Sequence, residues 1–203
     1  MALPERVQER IDNHAWPRQV GKTRLVIPPS FGRTVIGRNF RYPDGKILEF
    51  QSWHALSPKN RASMVLPITA DGLVIAVLQY CHAAARVMVE IPGGVRDTEE
   101  ESDLEAAIKE LREETGFEAE EIIDLGIVYF EPHNLTPDYH AFLGLGCRKV
   151  VAPKLDATES LLVETFRWDE WMDICRDPKL VRDSKSLAVT FLAMPILQEH
   201  GLI

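Results

Sequence analysis

The hydrophobic pattern of the chain is mostly that of β-strands. Residues 47–53 alternate apolar and polar side chains, as a half-buried strand does, and they follow the turn signal Asp44-Gly45. Residues 62–69 and 73–80 flank a second turn signal at Asp71-Gly72 and predict a hairpin whose second strand is buried on both faces. Further strand candidates are shorter apolar runs: Arg24–Ile27, Arg86–Ile91, Ile122–Phe130, His140–Leu145 and Leu161–Trp168.

Helical periodicity occurs in two main segments. Ser102 and Glu105 have capping-box spacing, and Gly116 stands where a left-handed residue ends a helix. The apolar stripe of this first helix, which we expect to face the sheet, is Leu104, Ala107, Ile108 and Leu111. We expect a last helix over about 183–194, with Leu187, Phe191 and Met194 in the core, and a short helix through Cys175 capped by Asp169.

This order of elements predicts the fold class. Strands surround one central helix, and another helix follows near the end of the chain, which indicates an α/β sandwich built on a mixed sheet. We expect a small β-rich accessory segment at residues 1–57 and the main domain at residues 58–203.

Composition narrows the possible functions. The 203 residues carry a net charge of −8, so the chain lacks the excess of Lys and Arg that nucleic-acid binding requires. No apolar run approaches the ~20 residues of a membrane span, and we expect no signal peptide. The three cysteines Cys81, Cys147 and Cys175 fit neither a zinc pattern nor a disulfide framework. We therefore expect reduced thiols in a cytoplasmic protein.

The first helix carries the candidate chemistry. Glu110, Glu113 and Glu114 stand at relative positions 0, +3 and +4, where like charges on one helix face repel each other. A bound Mg²⁺ would convert that repulsion into binding, because hard cations prefer carboxylate oxygens. A helical projection places Glu110 and Glu114 along one edge of the apolar stripe, Glu113 further round, and Lys109 on the solvent side.

The segment from Gly94 to Phe117 resembles the signature of the Nudix hydrolases. That signature reads Gly, five residues, Glu, seven residues, then Arg-Glu-apolar-any-Glu-Glu-any-Gly-apolar, and its second half matches residues 109–117. Two departures occur: Lys109 replaces the Arg, and the loop is one residue longer. Either Glu100 or Glu101 is then the equivalent acid, and we favour Glu101 because helix phase is stiffer than loop length.

Residues before this segment are similar to the ADP-ribose pyrophosphatase branch of the family. Gln79-Tyr80 and the run Glu90–Gly94 match two of its elements, with Cys81 in place of an Arg and Gly93 in place of an Ala. His82 or Arg86 is the candidate to replace the lost Arg.

The resemblance implies a Nudix-type α/β/α sandwich that hydrolyses a nucleoside diphosphate linked to another moiety, above all ADP-ribose. It implies Mg²⁺, with Mn²⁺ as a substitute, and a homodimer formed through the N-terminal segment. The implied ligands and substrate contacts are assigned by motif: Glu110, Glu113, Glu114 and the Gly93 carbonyl for the metal, and Gly94, Glu90, Arg86 and Tyr80 for the substrate. The implied general base lies in a later loop, with Glu159 first and Glu164 second; Glu113 is also assigned to catalysis.

Alternatives remain open at this point. The substrate is ADP-ribose or another nucleotide sugar such as GDP-mannose, or the chain is a non-catalytic Nudix-fold nucleotide-binding module. Glu90 and Glu101 fit a solvated or helix-terminal role as well as a ligand role. Trp16, Trp53 and Tyr80 fit adenine stacking, but core or dimer contacts are the more common role of such residues. His133 and His140 read as ordinary polar residues.

Overall fold

The structure is a computed structural model that describes residues 9, 12–30, 33–55, 61–81, 86–155, 161–177 and 183–203. The chain forms two compact units. One comprises Met1–Leu56 with the short segment Glu131–Thr136, and the other comprises Ser57–Phe130 with Pro137–Ile203. No helix in the described part of the chain is long and apolar enough to cross a bilayer.

The first unit contains an antiparallel three-stranded sheet in the order β1-β2-β3. Its strands are β1 (Arg18–Ser30), β2 (Arg33–Arg41) and β3 (Ile47–Ala55). The predicted β2–β3 hairpin turn is confirmed, with Gly45 at φ 86°. The predicted strand Arg24–Ile27 is part of a longer strand that runs on through Pro28-Pro29, which an edge strand tolerates. The Trp53 N–H donates to the Asn134 carbonyl (2.8 Å), which joins the segment Glu131–Thr136 to β3.

The second unit is built on a mixed sheet. Strands β4 and β10 are parallel, and the other pairings are antiparallel. The predicted hairpin is confirmed as β4 and β5. The strands of this sheet are β4 (Ala62–Thr69), β5 (Val74–Cys81), β6 (Arg86–Glu90), β7 (Gly93–Val95), β8 (Phe117–Glu118), β9 (Glu121–Tyr129), β10 (Asp138–Lys149) and β11 (Leu161–Phe166).

The helices of this unit begin and end at recognisable caps. They are α1 (Asp103–Glu110), α2 (Trp168–Arg176) and α3 (Ser184–Glu199), and α1 continues as a π-helical turn over Leu111–Thr115. The predicted capping box is confirmed, because Ser102 Oγ accepts from the Glu105 N–H (3.1 Å) and Glu105 Oε2 from the Ser102 N–H (2.8 Å). Gly116 ends the helix at φ 77°. The predicted cap of α2 is wrong: Arg167, not Asp169, precedes its first turn.

Alternation along the central strands creates two hydrophobic layers. In β4, Met64, Leu66 and Ile68 face one cluster, whereas Val65 faces the other. The first cluster takes Trp171 from α2 and several residues of α3, and the second takes Ala107 and Leu111 from α1. The sheet therefore lies between α1 on one face and α2 with α3 on the other. This confirms the α/β/α sandwich with a mixed sheet and a small β-rich N-terminal part.

Two helices are rotated relative to the expected stripes. In α1, Leu104 and Ile108 are 43% and 44% exposed, whereas Ala106, Ala107 and Leu111 are buried. In α3, the expected core residue Phe191 is 73% exposed, and the buried side consists of Ser186, Val189, Thr190, Ala193 and Leu197. Small residues let α3 approach the sheet closely, so the bulkiest side chain stays outside.

Candidate active site

A diglycine strand lies directly under the acidic helix. β7 pairs with β4, with Gly93 opposite Met64 and Gly94 opposite Ser63. A Cβ added at Gly93 would overlap the Ser63 carbonyl and the Met64 side chain, and a Cβ added at Gly94 would overlap the Glu110 carboxylate. The fold therefore requires glycine at Gly93, and glycine at Gly94 leaves room for the Glu110 carboxylate.

Two carboxylates of the helix flank this strand. Glu114 is only 4% exposed, and its Oε2 accepts a hydrogen bond from the Gly93 N–H (2.9 Å). The Glu110 carboxylate packs against Gly94, and its Oε1 lies 3.7 Å from Lys109 Nζ. The structure therefore brings together Gly93, Gly94, Glu110 and Glu114, which the sequence assigned to one site.

Lys109 connects the helix to the loop before it. Its Nζ lies 2.8 Å from Asp97, 3.3 Å from Glu101 and 3.7 Å from Glu110. Burial alone would lower the pKa of Lys109, but hydrogen bonds to Asp97 and Glu101 and the charge of Glu110 raise it. The expected solvent-facing position of Lys109 is wrong, because the loop folds back over the lysine. Glu101 contacts Lys109 and accepts a hydrogen bond from the Asp97 N–H, whereas Glu100 is exposed.

Glu113, unlike Glu110 and Glu114, lines a cleft of about 610 Å³ beside α1. Its backbone carbonyl accepts a hydrogen bond from the Lys154 N–H (2.8 Å), which fastens the segment after β10 to the end of the helix. The lining residues of the cleft come from α1, the π turn, β8 and this segment: Glu105, Ile108, Lys109, Arg112, Glu113, Glu118, Val151, Ala152 and Lys154.

The donor set at Gly93 suits a hard divalent cation. Within the described ranges, no three His, Cys, Asp or Glu side chains form a metal-binding group. Mg²⁺ does not require such a cage, because it commonly binds through one or two carboxylates, substrate phosphates and retained waters. Glu110 and Glu114, beside backbone that no side chain shields, match that requirement.

Glu90 is buried away from this pair. The Cys81 thiol donates to Glu90 Oε2 (3.3 Å), and Lys185 and Asp183 at the start of α3 act on its charge. Burial raises the pKa of Glu90. Arg86 is exposed and stands directly opposite Cys81 in the β5–β6 pair. Related proteins have an Arg at the position of Cys81, so Arg86 lies next to the place of that missing side chain.

Glu164 does not join the carboxylate pair. It is exposed on β11, and its neighbour Val163 packs on the cluster that contains Leu111 of the π turn. Because successive side chains of a strand face opposite sides, Glu164 faces away from α1. Glu159 and His82 lie outside the described residues.

Of the aromatic candidates, Trp16 and Trp53 belong to the first unit and Tyr80 to the second. Trp16 and Trp53 are about half exposed in the first unit. Tyr80 lies on β5, and its side chain is outside the described residues.

A second charged cluster was not anticipated from the sequence. His140 lies between Asp103 and Asp124, and Arg61 bonds both Asp103 and Asp138. These residues are far apart in sequence, and although Asp103 lies within the segment 94–117, no spacing there points to His140 or Arg61. The sheet topology brings them together.

Comparisons with known proteins agree with this geometry. The sequence model of the NUDIX domain matches residues 58–189. An ADP-ribose pyrophosphatase of Bacillus subtilis (strain 168) is 35% identical over 110 residues, which cover 49% of this chain and 59% of that protein. The matched part therefore spans less than two thirds of that relative. A methanol dehydrogenase activator of Bacillus methanolicus is 26% identical over 140 residues, which cover 68% of this chain and 75% of the relative.

The fold has a close counterpart among solved structures. A crystal structure of an ADP compounds hydrolase superposes with a TM-score of 0.77 at 22% identity, covering 92% of this chain and 97% of that one.

Proposed function

Because the chain belongs to the NUDIX domain family, we propose that it hydrolyses the diphosphate bond of a nucleoside diphosphate linked to another moiety, with Mg²⁺ as the cofactor. The observation that carries the proposal is the placement of the Glu110 and Glu114 carboxylates against the Gly93-Gly94 backbone. ADP-ribose, cleaved to AMP and ribose 5-phosphate, is the favoured substrate. Its support is the name of the Bacillus subtilis relative and the resemblance at Gln79-Tyr80 and Glu90–Gly94.

Each residue of the site has a defined task in this proposal. Glu110, Glu114 and the Gly93 carbonyl hold the cation, and Glu113 contributes directly or through water. Bound Mg²⁺ supplies charge neutralisation at the phosphate oxygens and orientation of the attacking water, and Mn²⁺ substitutes for it. Lys109 neutralises part of the carboxylate charge and holds Glu101 and Asp97 over the helix.

Glu159 is the proposed general base, with Glu164 as the second candidate. Lys154 is bonded to the Glu113 carbonyl, and Glu159 follows it by five residues. Five residues extend at most about 17 Å, so the chain permits Glu159 to reach the site. Glu159→Gln should lower kcat by about 10²-fold with near-normal metal affinity. Glu164→Gln tests the second candidate in the same assay. An unchanged kcat in Glu159→Gln would remove Glu159 from the mechanism.

Substrate binding in this proposal uses the strand ends next to the diglycine. Gly94 offers unshielded backbone, and Arg86 supplies a phosphate-binding cation beside the position held by Cys81. Tyr80 on the neighbouring strand contributes as well. Glu90, the last residue of β6, is the remaining proposed substrate contact, and its carboxylate accepts a hydrogen bond from the Cys81 thiol.

Hydrolysis of a substrate panel tests the proposal. Purified protein should release AMP from ADP-ribose with Mg²⁺ and lose that activity in EDTA. Faster cleavage of GDP-mannose would keep the chemistry and change the substrate. Absence of turnover on every diphosphate, together with tight nucleotide binding, would establish the alternative of a non-catalytic module.

Metal binding is tested separately. Mn²⁺ titration followed by electron paramagnetic resonance should show binding to the wild type that Glu114→Gln weakens at least tenfold. An unaltered Mn²⁺ affinity in that variant would place the metal elsewhere.

We also propose a cytoplasmic homodimer formed through the first unit. Support comes from apolar side chains that its sheet leaves about half exposed, namely Leu25, Ile27, Ile47, Leu48, Phe50 and Trp53. Such a concentration of exposed apolar residues is typical of interaction surfaces. The cysteines Cys81, Cys147 and Cys175 are free, as a reducing compartment favours. A monomer by multi-angle light scattering would contradict the dimer.

A further inference from the structure

A cluster of charged side chains surrounds the first residue of α1. Asp103 Oδ2 lies 3.1 Å from His140 Nδ1 and 3.2 Å from Arg61 Nη1, and Asp103 Oδ1 lies 3.3 Å from Arg96 Nε. Burial acts to raise the pKa of Asp103, but hydrogen bonds from His140 and Arg61 and the charges of Arg61 and Arg96 hold it below its usual range. Asp103 is therefore a carboxylate that two arginines and a histidine ring hold in place.

The cluster joins α1 to the strands beneath it. Arg61, next to the start of β4, forms a forked contact with Asp138 of β10 (2.6 and 3.2 Å) as well as its bond to Asp103. His140 of β10 reaches Asp103 with one ring nitrogen and Asp124 of β9 with the other (2.8 Å). The N-terminus of α1 is thus tied to strands that cannot move independently of the sheet.

His140 is suited to hold both carboxylates at once. Its ring stacks on Phe142, with centroids 4.4 Å apart and planes at 29°, so the ring orientation is fixed. Each ring nitrogen faces a carboxylate oxygen, and a carboxylate only accepts hydrogen bonds. The His140 ring therefore bridges α1 and β9 through its two nitrogen–carboxylate contacts.

The position of Asp103 on the helix links this bridge to the candidate active site. Glu110 follows Asp103 by seven residues, which is two helical turns, and therefore lies on the same face of α1 about 10 Å along the axis. The Glu110 carboxylate packs closely against Gly94, so a small rotation or slide of α1 would misplace it. The position of Glu114 depends on the helix in the same way, because its carboxylate accepts a hydrogen bond from the Gly93 N–H.

We propose that His140, acting through Asp103, is a positioning residue for the Glu110 and Glu114 carboxylates. This inference rests on the proposed function, because it assumes that these carboxylates bind the metal. It predicts that loss of the His140–Asp103 contact lowers turnover and metal affinity while leaving KM for the nucleotide nearly unchanged.

The test compares His140→Gln and Asp103→Asn with His133→Gln, a control at a histidine whose side chain is 91% exposed. We expect each of the first two variants to lower kcat by about 10- to 100-fold, since displacements near 1 Å have effects of this size. Mn²⁺ affinity by electron paramagnetic resonance should fall about tenfold or more, and circular dichroism at the assay temperature should remain that of the folded protein. Values for kcat and Mn²⁺ affinity equal to those of His133→Gln would overturn the proposal.

A double variant separates positioning from a general loss of stability. If His140 acts through Asp103, the double variant should lose no more kcat than the worse single variant, because the two residues serve one contact. Multiplicative losses would show independent roles and overturn the proposal. An inactive wild type would count against the proposed function instead, and the Mn²⁺ titrations would still decide the role of His140.

Discussion

Gly94→Ala is the sharpest probe of the candidate active site. The added methyl group would occupy the place of the Glu110 carboxylate, which is the flexible end of a side chain and can move aside. A carboxylate oxygen and a methyl group need a separation near 3.5 Å, so Glu110 must shift by roughly 1 Å. Displacement of a reacting or metal-binding group by that distance costs about 10²-fold in rate, equivalent to about 2.7 kcal/mol of transition-state stabilisation.

Gly93→Ala is the matched comparison, one residue away on the same strand. Its methyl group would meet the Ser63 carbonyl, which belongs to the backbone of a central strand and cannot move aside. Overpacking of this kind costs about 1–3 kcal/mol of folding free energy. For a chain of this size, 2 kcal/mol corresponds to a loss of about 4–8 °C in Tm.

The two variants should therefore separate activity from stability. We expect Gly94→Ala to lose about 10²-fold in kcat on ADP-ribose with a Tm within about 2 °C of wild type, and Gly93→Ala to lose stability first. Coupled phosphate release measures kcat, and differential scanning fluorimetry measures Tm. Full activity in Gly94→Ala would refute the placement of Glu110 against the strand and its assignment as a metal ligand.

The remaining predictions concern the groups around β5 and β6. Because burial raises the pKa of Glu90, folding favours its protonated form. The stabilising effect of that form is present at acid pH and is lost as pH rises through the folded pKa. Glu90→Gln should therefore raise Tm more at pH 8 than at pH 5, and equal shifts would contradict this. Burial raises the pKa of Cys81 to about 11 and that of Cys147 to about 12. Both thiols should therefore react slowly with a disulfide reagent at pH 8 in the folded protein and fast in guanidinium. Rapid labelling of either cysteine in the folded protein, measured by mass spectrometry, would contradict this. Arg86→Ala should raise KM for ADP-ribose about tenfold with kcat within twofold, and Arg86→Lys should recover part of the loss. An unchanged KM in Arg86→Ala would show that Arg86 does not replace the Arg that the family has at the position of Cys81.

Local chemistry determined what could be predicted reliably. The Asp44-Gly45 turn, the Ser102–Glu105 capping box and the left-handed Gly116 each depend on residues a few positions apart, and all three occur as expected. The spacing of the acidic residues along the helix could likewise be read directly from the sequence.

Features that depend on distant residues were not predictable in the same way. The partners of Lys109 come from a loop whose path no periodicity describes. The bridge from Asp103 to His140 depends on β4 and β10 being parallel neighbours, which follows from the complete topology and not from either segment. Phe191 is exposed because small residues on the other side of α3 allow closer packing, and an apolar stripe alone does not report that preference.

The rotation of α1 about its axis is a compromise between burial of its apolar residues and placement of its carboxylates. Burying Leu104 and Ile108 would require a rotation of roughly 70° about the helix axis. Because both side chains are already more than half buried, the gain would be roughly 0.6–1.3 kcal/mol for each. That rotation would withdraw Glu110 and Glu114 from the Gly93-Gly94 strand. The helix instead leaves both apolar residues about half exposed and turns its carboxylates to the sheet, where the Gly93 N–H, Lys109 and the Asp103 cluster stabilise the less hydrophobic phase. The helix therefore buries less apolar surface than its hydrophobic pattern predicts and places its carboxylates against the glycine backbone. Such departures from the hydrophobic pattern are expected at functional sites.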